Sequence, residues 1–73
     1  MSSMVNIILA KNLKELMKGE NLKQIQLAES IHVSQSAISA WLSGKKEPSI
    51  QSLWLLADYF DVSIDELIGR KPF

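Results

Sequence analysis

Gln35, Ser36, Ser39, Ala40 and Ser43 recur at helical spacing on one side of a short segment and offer only amides, hydroxyls and a methyl. An amide donates and accepts together, and a hydroxyl does either. Base edges in the major groove of duplex DNA present donors, acceptors and the thymine methyl. Gln35 matches the N6 donor and N7 acceptor of adenine, whereas Ala40 can only touch a thymine methyl. Ser36 can bond a base edge in more than one way. A merely solvated face would usually carry Lys and Glu, and this one carries neither. Chemistry of other kinds is poorly supplied. His32 and Ser34 lie two apart in a tight turn, with no nearby acid to orient the imidazole. Asp61, Ser63 and Asp65 open like a calcium loop, but Glu66 stands where that loop needs Gly and Pro72 where it needs Glu. No glycine-rich phosphate loop is present. The expectation is a non-enzyme with no cofactor and no metal.

Positioning such a face requires a small helical scaffold. Leu27, Ala28 and Ile31 form one apolar stripe, and Ala37, Ile38, Trp41 and Leu42 form a second. Ile31-His32-Val33 between them is too short for a flexible loop, and Ser34 offers a hydroxyl as an N-cap. Residues 24–43 therefore predict a helix-turn-helix. Upstream, Val5, Ile8, Leu9, Leu13, Leu16 and Met17 predict a first helix, capped by Ser2 or Ser3 and ended by Gly19, with Ile7 as edge core. Downstream, Gly44 closes the third helix and Pro48 starts a fourth. Ile50, Leu53, Leu56, Ala57 and Phe60 form the fourth helix's core stripe. Trp54 widens that arc and is expected to be buried, and Leu55 is left open. Asp61-Val62-Ser63 leads into a fifth helix with Ile64, Leu67 and Ile68 apolar, followed by a tail from Gly69 to Phe73.

Composition bounds the rest. A chain of 73 residues makes one domain near the lower size limit for an independent core. It has no Cys, which suits a reducing compartment, and no apolar run near the length of a membrane span. The start lacks a basic n-region, so no signal peptide is read and a cytoplasmic location is expected. Net charge is zero but segregated: +3 over residues 1–46, −5 over 47–69 and +2 in the tail. One positive end is a plausible DNA-facing polarity.

Leu22, Gln24, Leu27-Ala28, the run Val33 to Ser39, Trp41, Gly44 to Ser49, Leu53, Leu56-Ala57, Val62-Ser63 and Asp65 to Leu67 together resemble the lambda-repressor-like, Cro/C1-type helix-turn-helix domain over about residues 5–68. The resemblance implies an all-α fold of five short helices and sequence-specific binding to double-stranded DNA as a small regulator, a repressor in the phage manner. It implies that Gln24, Gln35, Ser36, Ser39 and Ala40 face bases, with Gln24 touching phosphate and steadying Gln35. It implies that Lys23, Ser34, Ser43, Lys45 and Lys46 meet phosphates. Three departures stand out. Lys23 replaces a capping Ser, Thr or Asn. His32 replaces the turn Gly. Met17 and Leu42 replace a buried Arg–Glu pair and are expected to touch. A single short recognition helix selects poorly from a genome, so a homodimer on a palindromic operator is expected, with Leu55, Leu67, Ile68 and Phe73 as contact candidates. Two other classes fit many of the same residues. One is an antitoxin that also binds a toxin; the other is a helical protein-interaction module.

Overall fold

The computed structural model describes residues 4–73, so the Ser2 and Ser3 caps lie outside the described residues. Five helices follow one another: α1 Met4–Gly19, α2 Gln24–Ile31, α3 Gln35–Leu42, α4 Ile50–Phe60 and α5 Ile64–Leu67. The all-α architecture and the helix-turn-helix are as expected. α3 packs on α1 and α2, α2 also meets α4, and α5 is held between α1 and α4. The shared core is Leu9, Leu13, Leu27, Ile38, Leu56 and Leu67, all almost completely removed from water. Closing these stripes on one another is what holds helices of eight residues, too short to persist alone in water.

The helix starts follow serine chemistry. The Ser34, Ser49 and Ser63 hydroxyls accept from the N–H groups of Ala37, Ser52 and Glu66 respectively. Ser63 and Glu66 form a reciprocal capping box, with the Glu66 carboxylate accepting from the Ser63 N–H at 2.9 Å. Pro48 precedes the Ser49 cap and so lies outside α4, not at its first position. Lys23 caps α2 with no acceptor of its own. The Gln26 amide oxygen accepts from the Lys23 N–H at 2.8 Å and supplies the reverse half of a capping box.

All five helices end alike. A residue just past each one turns left-handed: Asn21, His32, Gly44, Asp61 and Gly69 have φ of 51°, 60°, 74°, 55° and 85°. The next N–H then reaches the carbonyl five residues back, as in Leu22 to Met17 (2.8 Å), Val33 to Ala28 (3.0 Å) and Val62 to Ala57 (3.0 Å). This is the Schellman closure. Asn21 performs it for α1, and Gly19 remains helical, with open space around a Cβ there. His32 takes the left-handed conformation at the place of the turn Gly, at modest strain for a residue with a Cβ. At Gly69 the demand is double, because a Cβ would collide with the Ile8 side chain.

α5 has only four residues and is held from outside. The Asn12 Nδ2 of α1 donates to the Glu66 and Leu67 carbonyls at 3.1 and 2.9 Å, satisfying the α5 end that short helices leave open.

Four apolar residues sit differently from their expected places. Ile7 and Val5 are exposed, because α1 buries only Leu9, Ala10, Leu13 and Met17. Ile50 and Trp54 are 82% and 68% exposed. The core arc of α4 centres on Leu53, Leu56, Ala57 and Phe60, and both residues fall beyond its edge. Leu55 is half-buried against the core.

Candidate nucleic-acid interface

The reading face expected on α3 is on the surface. Gln35, Ser36 and Ser39 are exposed and Ala40 is half-buried, while Ile38 and Trp41 of the same helix are sealed in the core. Ser34 fixes the helix start, and its hydroxyl also lies 3.1 Å from that of Ser36. The cap accepts from the Ala37 N–H with one lone pair, and the bond to Ser36 can run in either direction; with Ser36 as the donor, the Ser34 proton is left for a phosphate. Ser43 is more committed. Its hydroxyl donates to the Ala40 carbonyl at 3.1 Å and must leave that bond to reach DNA.

Two concavities flank the start of α3. One, of about 560 Å³, brings Gln24 and Gln35 to the same groove with Lys23 and, from α1, Lys14 and Lys18. Met17 and Leu42 also line it. Met17 is buried and Leu42 packs half-buried against the cluster that contains it, so apolar packing occupies the place of an ion pair. The other, of about 260 Å³, gathers Ser34, Ser36 and Ala40 with Lys46. Lys45 and Lys46 are exposed in the loop after α3, whose first turn is pinned by Lys45 N–H to Ala40 O at 3.0 Å.

The expected residues therefore divide into a neighbourhood around Gln24, Gln35 and Lys23 and one around Ser34, Ser36, Ala40 and Lys46. Ser39, Ser43 and Lys45 are exposed outside both. Sequence reasoning does not single out Lys14 and Lys18, although a signal for them exists. They are lysines one helical turn apart on the polar side of α1, with Lys11 three residues before, and they extend the positive charge toward Gln24 and Gln35. Lys11 and Lys14 also line a neighbouring hollow beside Leu42, Ser43 and Gly44.

Among the dimer candidates, Leu67 is corrected. It is fully buried beneath α1 and α4, because α5 turns that side chain inward, and it cannot meet a second chain. Phe73 is exposed, and Leu55 and Ile68 are half-buried. No helix among the described residues is long and apolar enough to cross a membrane.

Comparison with known proteins agrees with this fold. The HTH_3 family model, described as helix-turn-helix, matches residues 13–67. The chain is 48% identical over 61 residues to the HTH-type transcriptional activator BcrR of Enterococcus faecalis, covering 84% of this chain and 30% of that protein. It is 38% identical over 53 residues to the cryptic phage CTXphi transcriptional repressor RstR of Vibrio cholerae, covering 73% and 47%. The chain thus spans about a third to a half of these curated relatives. Among solved structures, a transcriptional regulator from Listeria innocua superposes with a TM-score of 0.79 at 43% identity, covering 84% and 57%. The SOS-response transcriptional repressor LexA from Eubacterium rectale superposes at 0.87 with 28% identity, covering 93% and 72%. The chain belongs to the HTH_3 helix-turn-helix family, as a lambda-repressor-like, Cro/C1-type DNA-binding domain.

Proposed function

We propose that the chain binds double-stranded DNA sequence-specifically as the reading domain of a transcription regulator, with α3 in the major groove. The observation that carries this reading is the clustering of Gln24 and Gln35 with three lysines in one groove beside the exposed, uncharged face of α3. Lysines can hold the phosphate backbone while amides read base edges, the usual division between positioning and specifying contacts. Gln35 is the principal base reader, Ser36, Ser39 and Ala40 are permissive neighbours, and Gln24 steadies Gln35 and meets phosphate. Lys23, Ser34, Ser43, Lys45 and Lys46 grip the backbone, joined by Lys14 and Lys18.

The working unit is a homodimer on a palindromic operator, with half-sites about 34 Å apart. Phe73, Leu55 and Ile68 supply apolar surface for the twofold contact. The expected location is the cytoplasm, where such DNA lies. Repression needs nothing beyond this interface, since an occupied operator blocks access. The relatives include an activator as well as a repressor. Activation requires a second surface that is free when DNA is bound.

Selection of bound sites from random duplex DNA, read by sequencing, tests the proposal. The expected result is an enriched palindrome bound by two chains, with complex mass measured by light scattering. Recovery of unenriched DNA, or one chain per duplex at saturation, would contradict it.

A further inference from the structure

A separate groove, of about 270 Å³, runs between α4 and the start of α5 and shares no lining residue with the proposed DNA interface. Its floor is Ala57, Val62 and Ile64, its wall is the Trp54 indole, and Asp58 and Asp61 stand on its rim. Trp54 is 68% exposed, and Ile50, one turn earlier, is 82% exposed. A large aromatic ring held in water beside an apolar floor is a ready anchor point, since Trp contributes strongly to contact energy when covered.

Charge selects the occupant. From Glu47 to Gly69 the chain has five acids and no Lys or Arg, and no cation lines the groove. Phosphate backbones and anionic membrane surfaces are repelled. A twofold contact centred here would set Asp58 and Asp61 of both copies face to face, which disfavours a second chain. A guanidinium or ammonium group is favoured twice, by the face of the indole and by the carboxylates.

We propose that this groove docks a basic segment of a partner protein. An Arg or Lys side chain enters between Trp54 and the Asp58 and Asp61 carboxylates, and a neighbouring apolar residue covers Ile50. The site is independent of the DNA reading above, and the experiment is performed without DNA. A random twelve-residue peptide library is panned against the chain. The expected winners pair Arg or Lys with an aromatic or aliphatic neighbour and shield Trp54 from acrylamide quenching, Trp41 being already buried. Trp54→Ala should weaken the selected peptide about tenfold or more. The double change Asp58→Asn and Asp61→Asn should weaken it and flatten its salt dependence, with Asn retaining the left-handed backbone needed at 61. Unchanged helicity and melting temperature show that each variant is folded. No enrichment, enrichment of neutral or acidic peptides, or affinity indifferent to these variants would overturn the proposal. So would a chain that buries Trp54 by dimerising as concentration rises.

Discussion

α3 and α4 each carry one tryptophan and a broad apolar arc, yet they spend them differently. On α3, Trp41 is 5% exposed and the outward residues are small and uncharged. On α4, Trp54 is 68% exposed and the outward residues are Ile50, Gln51, Trp54, Asp58 and Tyr59. The core needs only one stripe from each helix. What remains outside is therefore free to suit a partner: a slim hydrogen-bonding face on α3, which we propose enters a groove of DNA, and an apolar, acidic face on α4 unsuited to phosphate. Similar apolar content thus serves burial on one helix and a surface on the other.

The largest effect should come from exchanging the tryptophans for alanine. Trp41→Ala should cost about 3–5 kcal/mol by urea denaturation, through lost burial and a cavity. Trp54→Ala should change stability by less than about 0.5 kcal/mol. Comparable losses would erase the distinction between the two faces.

Leu42→Glu should be next. A lone buried charge costs about 3–5 kcal/mol, but Leu42 is half-buried beside an open, lysine-rimmed groove, so about 2 kcal/mol is expected. Adding Met17→Arg should recover part of the loss in thermal melts. A double variant that melts no higher than the single would mean that the two residues are not coupled.

The glycines extend the same contrast to the backbone. Gly69→Ala should destabilise by about 1–3 kcal/mol, since it meets both a left-handed backbone and Ile8. Gly19→Ala should stabilise by about 0.5–1 kcal/mol, because the residue is helical and its Cβ enters open space. Chemical denaturation of the two variants reads both signs.

Lys45 and Lys46 bear on affinity more than stability. Changing both to Ala should weaken binding to all sequences alike. The slope of log affinity against log salt should fall by about 0.9 for each phosphate no longer neutralised. An unchanged slope would remove the loop from the interface.

Helix positions and the exposed, uncharged side of α3 were legible because periodicity and serine caps are local signals. Leu27, Ile31 and Ile38 declared their burial by spacing, and Ser34 declared the start of α3. The side of α4 facing solvent was not legible, because a wide apolar arc does not reveal which edge the neighbouring helices cover. Ile50 and Trp54 lie on the uncovered edge. Helix ends were half legible. Gly44 announces its turn, while Asn21 and Asp61 adopt the same backbone with side chains that signal it weakly. The Asn12 bonds to the end of α5 cross 54 and 55 residues, a separation no local pattern encodes. The meeting of Lys14 and Lys18 with Gln24 and Gln35 likewise depends on how α1 packs beside α3.

Sequence-specific binding by this domain stands or falls on Gln35 touching a base. A competition series on the selected operator decides it, with every base pair substituted in turn, for the parent chain and for Gln35→Ala. The parent should discriminate by about 1–3 kcal/mol at one pair per half-site, with adenine preferred. Gln35→Ala should flatten that position alone and leave the salt slope unchanged, whereas Gln24→Ala should blunt it partially and reduce overall affinity. A Gln35→Ala profile identical to the parent's at every base pair would contradict base reading by Gln35.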